Sequence, residues 1–109
     1  MKRILITGCA GFIGSHLTEK LLSQGLTIVG IDNFDPFYDR SMKERNMLGF
    51  INHPNFTFTE ADLADKQQLE KVFHSADLIV HLAGKAGVRP SIDDPAGYIR
   101  ANILATQNI

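Results

Sequence analysis

Thr7-Gly8-Cys9-Ala10-Gly11-Phe12-Ile13-Gly14 (TGCAGFIG) joins a short apolar run to an amphipathic segment, and its reading decides the fold. Upstream, Arg3 to Thr7 fits a strand buried on both faces, as parallel sheets require. Downstream, from Phe12 to about Gln24, Ile13, Leu17, Leu21 and Leu22 recur at helical spacing, with His16, Glu19 and Lys20 on the other side and Gly25 just past the end. Glycines between a strand and a helix let the chain turn tightly, let backbone approach a pyrophosphate, and let the two elements pack closely. The N–H groups that open the helix then face the phosphates. The spacing G-x-x-G-x-x-G is one residue off the common G-x-G-x-x-G, so the context carries the reading. Asp32 closes the next apolar run 21 residues after Gly11, the distance expected of a carboxylate that holds a ribose. No Gly-Lys-Ser or Gly-Lys-Thr follows, which excludes a P-loop. The bland alternatives are a glycine turn without a ligand and a turn-forming aspartate.

Further along, Leu26 to Ile31 reads as a second strand that stops at Asp32-Asn33. A polar connection with Pro36 leads to a weak helix around Ser41 to Leu48, a third strand near Asn55 to Thr59, and a helix near Lys66 to His74. Leu78 to Leu82 is the clearest strand, followed by a glycine-containing loop, Ala83 to Arg89, and a last helix with Asp94 as N-cap and Pro95 at its first position. Strands alternating with helices imply right-handed crossovers and a parallel sheet. The fold expected is an α/β Rossmann-type, doubly wound parallel sheet, cut off after about four strands, with the fourth beside the first. The last helix is still apolar at Ile103, Leu104 and Ile109, so the sequence reads as part of a longer domain. The open fourth-strand edge and this last helix are therefore expected to drive homo-oligomerisation.

The chain has 109 residues, enough for one domain or part of one, and 44% of them are hydrophobic. Eleven Lys and Arg against twelve Asp and Glu leave a formal net charge of -1, so nothing marks a nucleic-acid or anionic-membrane surface. The single cysteine, Cys9, makes no intramolecular disulfide and supports no cysteine-rich metal site, which fits a reducing, cytoplasmic setting. Met1-Lys2-Arg3 ahead of an apolar stretch imitates a signal peptide, but the regular glycines and the amphipathic helix read as mature protein. No stretch approaches the roughly 18 apolar residues of a membrane span. His16, His53, His74 and His81 form no H-E-x-x-H and no pair at metal-binding helical spacing, and Asp93-Asp94 and Asp62/Asp65 look like cap and turn residues, so no metal is expected.

The sequence resembles the extended short-chain dehydrogenases/reductases, the NAD-dependent nucleotide-sugar epimerases and dehydratases. The matching stretches are TGCAGFIG, Asp32-Asn33-Phe34, Ala61-Asp62-Leu63, His81 to Arg89 (HLAGKAGVR) and Asn102 to Asn108 (NILATQN), which together span the chain. DNFDPFYD and AGVRPSIDDP look most like UDP-glucuronate 4-epimerases. The resemblance implies that Gly8, Gly11 and Gly14 line the pyrophosphate of NAD, with Phe12 and Ile13 in the same loop. It implies that Asp32 and Asn33 meet the adenosine ribose, Asp62 and Leu63 the adenine, and that Ala83 and Gly84 border the cofactor. It also implies a nucleotide-sugar substrate for the intact parent, oxidised at C4 and reduced again on the other face. The family usually has Ala-Ala, often followed by Gln, where this chain has Ala83-Gly84-Lys85. Asn102 matches a helix asparagine that supports the active site.

Asp32 favours NAD over NADP, because a carboxylate accepts from both ribose hydroxyls and repels a 2′-phosphate; Arg40 and Arg45 lie further on as candidate partners for a phosphate. For Asp62 a turn and an adenine contact stand side by side, and for Arg89 a sugar contact and a solvated loop charge. His81 reads as a packed, hydrogen-bonded residue, and Cys9 as a small filler without a basic neighbour. The family's Tyr-x-x-x-Lys is absent: Tyr38 and Tyr98 are followed four residues on by Met42 and Asn102. The 109 residues alone are thus expected to be inactive, since positioned acid–base groups are worth roughly 10²–10⁴-fold. The reading from another class is a stand-alone nucleotide-binding or interaction module.

Overall fold

Arg3–Thr7 forms β1 and Thr27–Asp32 forms β2, paired in parallel from Arg3↔Thr27 to Thr7↔Ile31. The structure, a computed structural model, describes residues 3–33, 40–70, 76–84 and 92–108. Phe34, Tyr38, Lys85, Arg89 and the far half of the helix expected to reach His74 lie outside the described residues. β3 (Phe56–Glu60) flanks β2, and β4 (Leu78–His81) flanks β1, giving one parallel sheet in the order β3-β2-β1-β4. This is the α/β, Rossmann-type arrangement expected, with the fourth strand beside the first.

Alternation along the central strands builds two cores. Ile4, Ile6 and Ile28 face one side with Cys9, Leu22, Met47, Phe50 and Phe56, while Leu5, Val29 and Ile31 face the other with Ala61 and Leu63. The first face is covered by α1 (Phe12–Ser23) and α2 (Arg40–Met47). α1 ends as its glycine foretells: Gly25 N donates to Leu22 O at 3.0 Å and Leu26 N to Leu21 O at 3.3 Å, closing both bonds of a Schellman turn. α2, with the sequence RSMKERNM, has little apolar surface, so its polar side chains anchor it, as described below. α3 begins at Lys66 and is described to Glu70.

β2 runs one residue further than expected, because Asp32 still pairs with Glu60 of β3. The last helix also departs from the sequence reading, being three segments: α4 (Pro95–Ile99), a π-helical stretch (Arg100–Leu104) and α5 (Ala105–Asn108). Asp94 caps α4 as expected, its side chain accepting from Gly97 N at 3.1 Å, and Pro95 follows it. A π turn takes carbonyls away from their usual i+4 amide partners. The Thr106 hydroxyl donates to Asn102 O, within this stretch, at 2.8 Å.

That hydroxyl belongs to a chain of hydrogen bonds tying the last helix to the sheet. Thr7 Oγ1, buried at the end of β1, accepts from Leu82 N at 3.0 Å and Ala83 N at 3.2 Å, so its own proton goes to His81 Nδ1 at 2.6 Å. His81 Nε2 consequently carries the ring proton and donates to Thr106 Oγ1 at 2.8 Å. Thr7→Val keeps the branched shape and removes the hydroxyl, stranding Ala83 N and His81 Nδ1. Denaturant melts should show a loss of about 1–3 kcal/mol, the usual cost of buried groups left without a partner.

Candidate functional site

The carboxyl ends of all four strands come together, which is where ligands bind to open α/β sheets. The end of β1 passes into Gly8 at φ +75, a conformation L side chains resist, and a Cβ there would stand 2.9 Å from Ala83 N beyond β4. Gly8 N donates to Ile31 O at 2.8 Å, and Gly11 N turns back to Gly8 O at 3.1 Å. The Gly8 carbonyl in turn lies directly on Gly14, where a Cβ would collide with it. Hydrogen bonding within α1 begins with Ser15 N to Gly11 O at 2.9 Å, so the N–H groups of Phe12, Ile13 and Gly14 have no partner inside the helix. Phe12 and Ile13 stand exposed beside them. The loop thus presents backbone donors at a glycine-lined turn, an arrangement that could hold an anionic group such as a pyrophosphate.

Asp32, at the end of β2, is buried against this loop. Its Oδ2 accepts from Ala10 N at 3.1 Å, and its Oδ1 receives Lys43 Nζ at 3.2 Å from α2, with only 4% and 10% of the two side chains exposed. Asn46, one turn further along α2, donates from Nδ2 to Ala10 O at 3.0 Å. Lys43 and Asn46 therefore clamp α2 onto the glycine loop, and Met47 beside them enters the core. Neither residue was singled out from the sequence. The signal was there as spacing, since positions 43, 46 and 47 share one helix face. It was hidden because two of the three are polar, and a search for apolar stripes passes over them.

Asn33 follows β2 on the surface. Arg40, a candidate for a phosphate, is instead engaged by Glu60 at 2.7 Å and Glu44 at 3.0 Å. Beyond β3, Asp62 does form a turn, its Oδ1 accepting from Ala64 N at 2.9 Å, while its Oδ2 pairs with Arg100 of the last helix at 2.8 Å. The Arg100 partnership was not legible in the sequence. Leu63 is buried in the second core. Ala83 lies beside Gly8, and Gly84 faces Asn102: a Cβ at 84 would stand 2.9 Å from Asn102 Oδ1, so glycine makes room for that side chain. Cys9 is fully buried, and burial first, then the nearby Asp32 charge, pushes its thiol pKa up, so it is filler and no nucleophile.

The sequence profile of the GDP-mannose 4,6 dehydratase family matches residues 5–109. The chain belongs to that family. This GDP-mannose 4,6 dehydratase family member is 46% identical over 109 residues to Protein CapI of Staphylococcus aureus, covering 98% of this chain and 32% of the relative. It is 37% identical over 107 residues to the UDP-glucuronate 4-epimerase of Thermodesulfobacterium geofontis, covering 96% of this chain and 33% of that one. The crystal structure of the UDP-glucuronic acid 4-epimerase of Bacillus cereus, in complex with UDP-glucuronic acid and NAD, superposes with a TM-score of 0.85 at 35% identity, covering 97% of this chain and 34% of that one. The chain thus spans about a third of the length of the curated relatives it matches.

His81 supplies a pH signature for the site. Burial lowers its pKa from the ordinary 6.5, and the Thr7 proton aimed at Nδ1 demands the neutral ring. Between 6.5 and the lowered folded value, the unfolded chain binds a proton that the folded chain refuses, so stability falls as pH drops through that window. Urea midpoints measured from pH 7.5 down to pH 5 should therefore decline below about 6.5, and His81→Gln should flatten that decline.

Proposed function

We propose that this chain is the NAD-binding N-terminal portion of an NAD-dependent nucleotide-sugar epimerase, acting at C4 of UDP-glucuronate or a similar UDP-sugar. The observation that carries the reading is the pairing of the Gly8–Gly14 donor cradle with a buried carboxylate, Asp32, anchored to the same loop at Ala10 N. Its relatives support the sugar: UDP-glucuronate 4-epimerases recur among them, and one solved neighbour holds both UDP-glucuronic acid and NAD.

In this reading Phe12, Ile13 and Gly14 offer backbone N–H groups to the pyrophosphate, Asp32 accepts from the adenosine ribose, and the turn at Asp62-Leu63 borders the adenine. Ala83 and Gly84 close the side next to β4. Bound NAD supplies the hydride acceptor for C4 and returns the hydride. No tyrosine in these 109 residues has a lysine four positions on, so the acid–base pair that the resemblance implies is not supplied by them. Among the described residues no helix is long and apolar enough to cross a membrane.

Calorimetric titration tests the reading. NAD should bind the chain, ADP should compete for the same site, and Gly14→Ala should abolish binding of both, because the added Cβ displaces the Gly8 carbonyl. Absence of NAD binding by a folded sample would overturn it. The 109 residues should turn over no UDP-glucuronate even when saturated with NAD, as judged by chromatography of the sugar nucleotide.

A further inference from the structure

The amides of the glycine loop fall into two sets. Gly8 N and Cys9 N are bonded to Ile31 O, Ala10 N to Asp32 Oδ2 and Gly11 N to Gly8 O, whereas Phe12 N, Ile13 N and Gly14 N have no partner among the described residues. The division lies where α1 begins, and an α-helix pairs each N–H with the carbonyl four residues back. Starting α1 one residue earlier would therefore give Gly14 N to Ala10 O. We propose that Asn46 is a positioning residue for the phosphate loop: by donating from Nδ2 to Ala10 O it holds that carbonyl away from Gly14 N and keeps the Gly14 amide open for the cofactor's pyrophosphate. The inference rests on the NAD-binding reading above.

Three observations carry it. Asn46 Nδ2 lies 3.0 Å from Ala10 O, and among the described residues nothing else donates to that carbonyl. Ala10 is fully buried, so without the Asn46 amide its carbonyl must find another donor, and helix geometry offers the Gly14 N–H. Ala10 is also held from both sides, its N on Asp32 Oδ2 at 3.1 Å and its O on Asn46, so the two peptide groups around it are fixed to β2 and α2. Finally, the loop contains no substitute for Asn46. Gly11, which precedes α1 with extended backbone, has no side chain to cap the helix, and Gly8 O is already taken by Gly11 N. Met47, the next residue, is buried in the first core and seats the part of α2 that presents the Asn46 amide.

The test compares two ligands of the full chain, ADP, which has the pyrophosphate, and adenosine, which lacks it, by calorimetry and saturation-transfer NMR respectively. Asn46→Leu keeps a similar side-chain shape and removes the donor. It should weaken ADP about tenfold and leave adenosine within about twofold of the wild type, whereas a purely structural loss passed on through α2 and Asp32 weakens both alike. Asn46→Ala, a strong helix former at that position, gives the same comparison if Asn46→Leu fails to fold. Hydrogen exchange reads the amide itself: in the wild type without ligand Gly14 N–H should exchange as fast as those of Phe12 and Ile13 and should slow when ADP is added. Equal weakening of ADP and adenosine, undiminished ADP binding by the variants, or a Gly14 amide protected in the ligand-free wild type overturns the proposal while leaving NAD binding intact. Failure of the wild type to bind NAD or ADP overturns the functional reading itself, and the proposal with it.

Discussion

The carboxylate of Asp32 is the point on which the site is assembled. It ends β2, accepts from Ala10 N in the glycine loop, and receives Lys43 from α2, so three elements that are distant in sequence meet at one buried side chain. A carboxylate taken out of water this completely is tolerable only with hydrogen-bond donors and a counter-charge, and removing one partner of such a pair typically costs about 3–5 kcal/mol. That constraint explains why α2, whose composition gives it no apolar stripe, nonetheless packs: it is recruited by charge and by an amide bond to Ala10 O, with Met47 following into the core.

A second polar frame works at the other strand end. Thr7 collects the amides beyond β4 and passes a proton to His81, which reaches Thr106, which in turn satisfies the carbonyl of Asn102 in the π-helical stretch. Each hydroxyl in this series both accepts and donates, so a single tautomer of His81 serves the whole chain of bonds. The last helix is thereby fixed to the mouth of the sheet through polar side chains, supplemented by Arg100 on Asp62. Both frames lie at the carboxyl ends of the strands, where the glycine loop presents its backbone donors. The apolar layers beneath give the sheet its cohesion, and the polar layer at its end gives the site its shape.

Much of this was legible in the sequence because it depends on local, periodic signals. Short apolar runs mark β1, β2 and β4, a 3.6-residue periodicity marks α1, and Gly25, Asp94 and Pro95 mark helix ends through backbone chemistry that needs no partner elsewhere in the chain. The site was legible to the same extent: Gly8, Gly11, Gly14 and Asp32 stand out because spacing between a strand and a helix is itself a local feature. Asp62 as a turn residue, and His81 as a hydrogen-bonded one, were readable on the same terms.

The residues that escaped were those whose meaning lies in a partner far along the chain. Lys43 and Asn46 lie on a weak helix and Arg100 on the last one, and nothing local says that Asp32, Ala10 or Asp62 will stand opposite them. The π-helical stretch was equally invisible, and of the hydrogen bonds beside it, from Thr106 to Asn102 O and from His81 of β4 to Thr106, the second joins residues far apart in the chain. The sequence by itself determined the strand–helix alternation, the parallel sheet and the glycine cradle, which follow from steric and solvation preferences of neighbouring residues. Only the tertiary structure decided the charge balance at Asp32 and the seating of the last helix, because long-range polar pairs depend on where folding brings the two ends together.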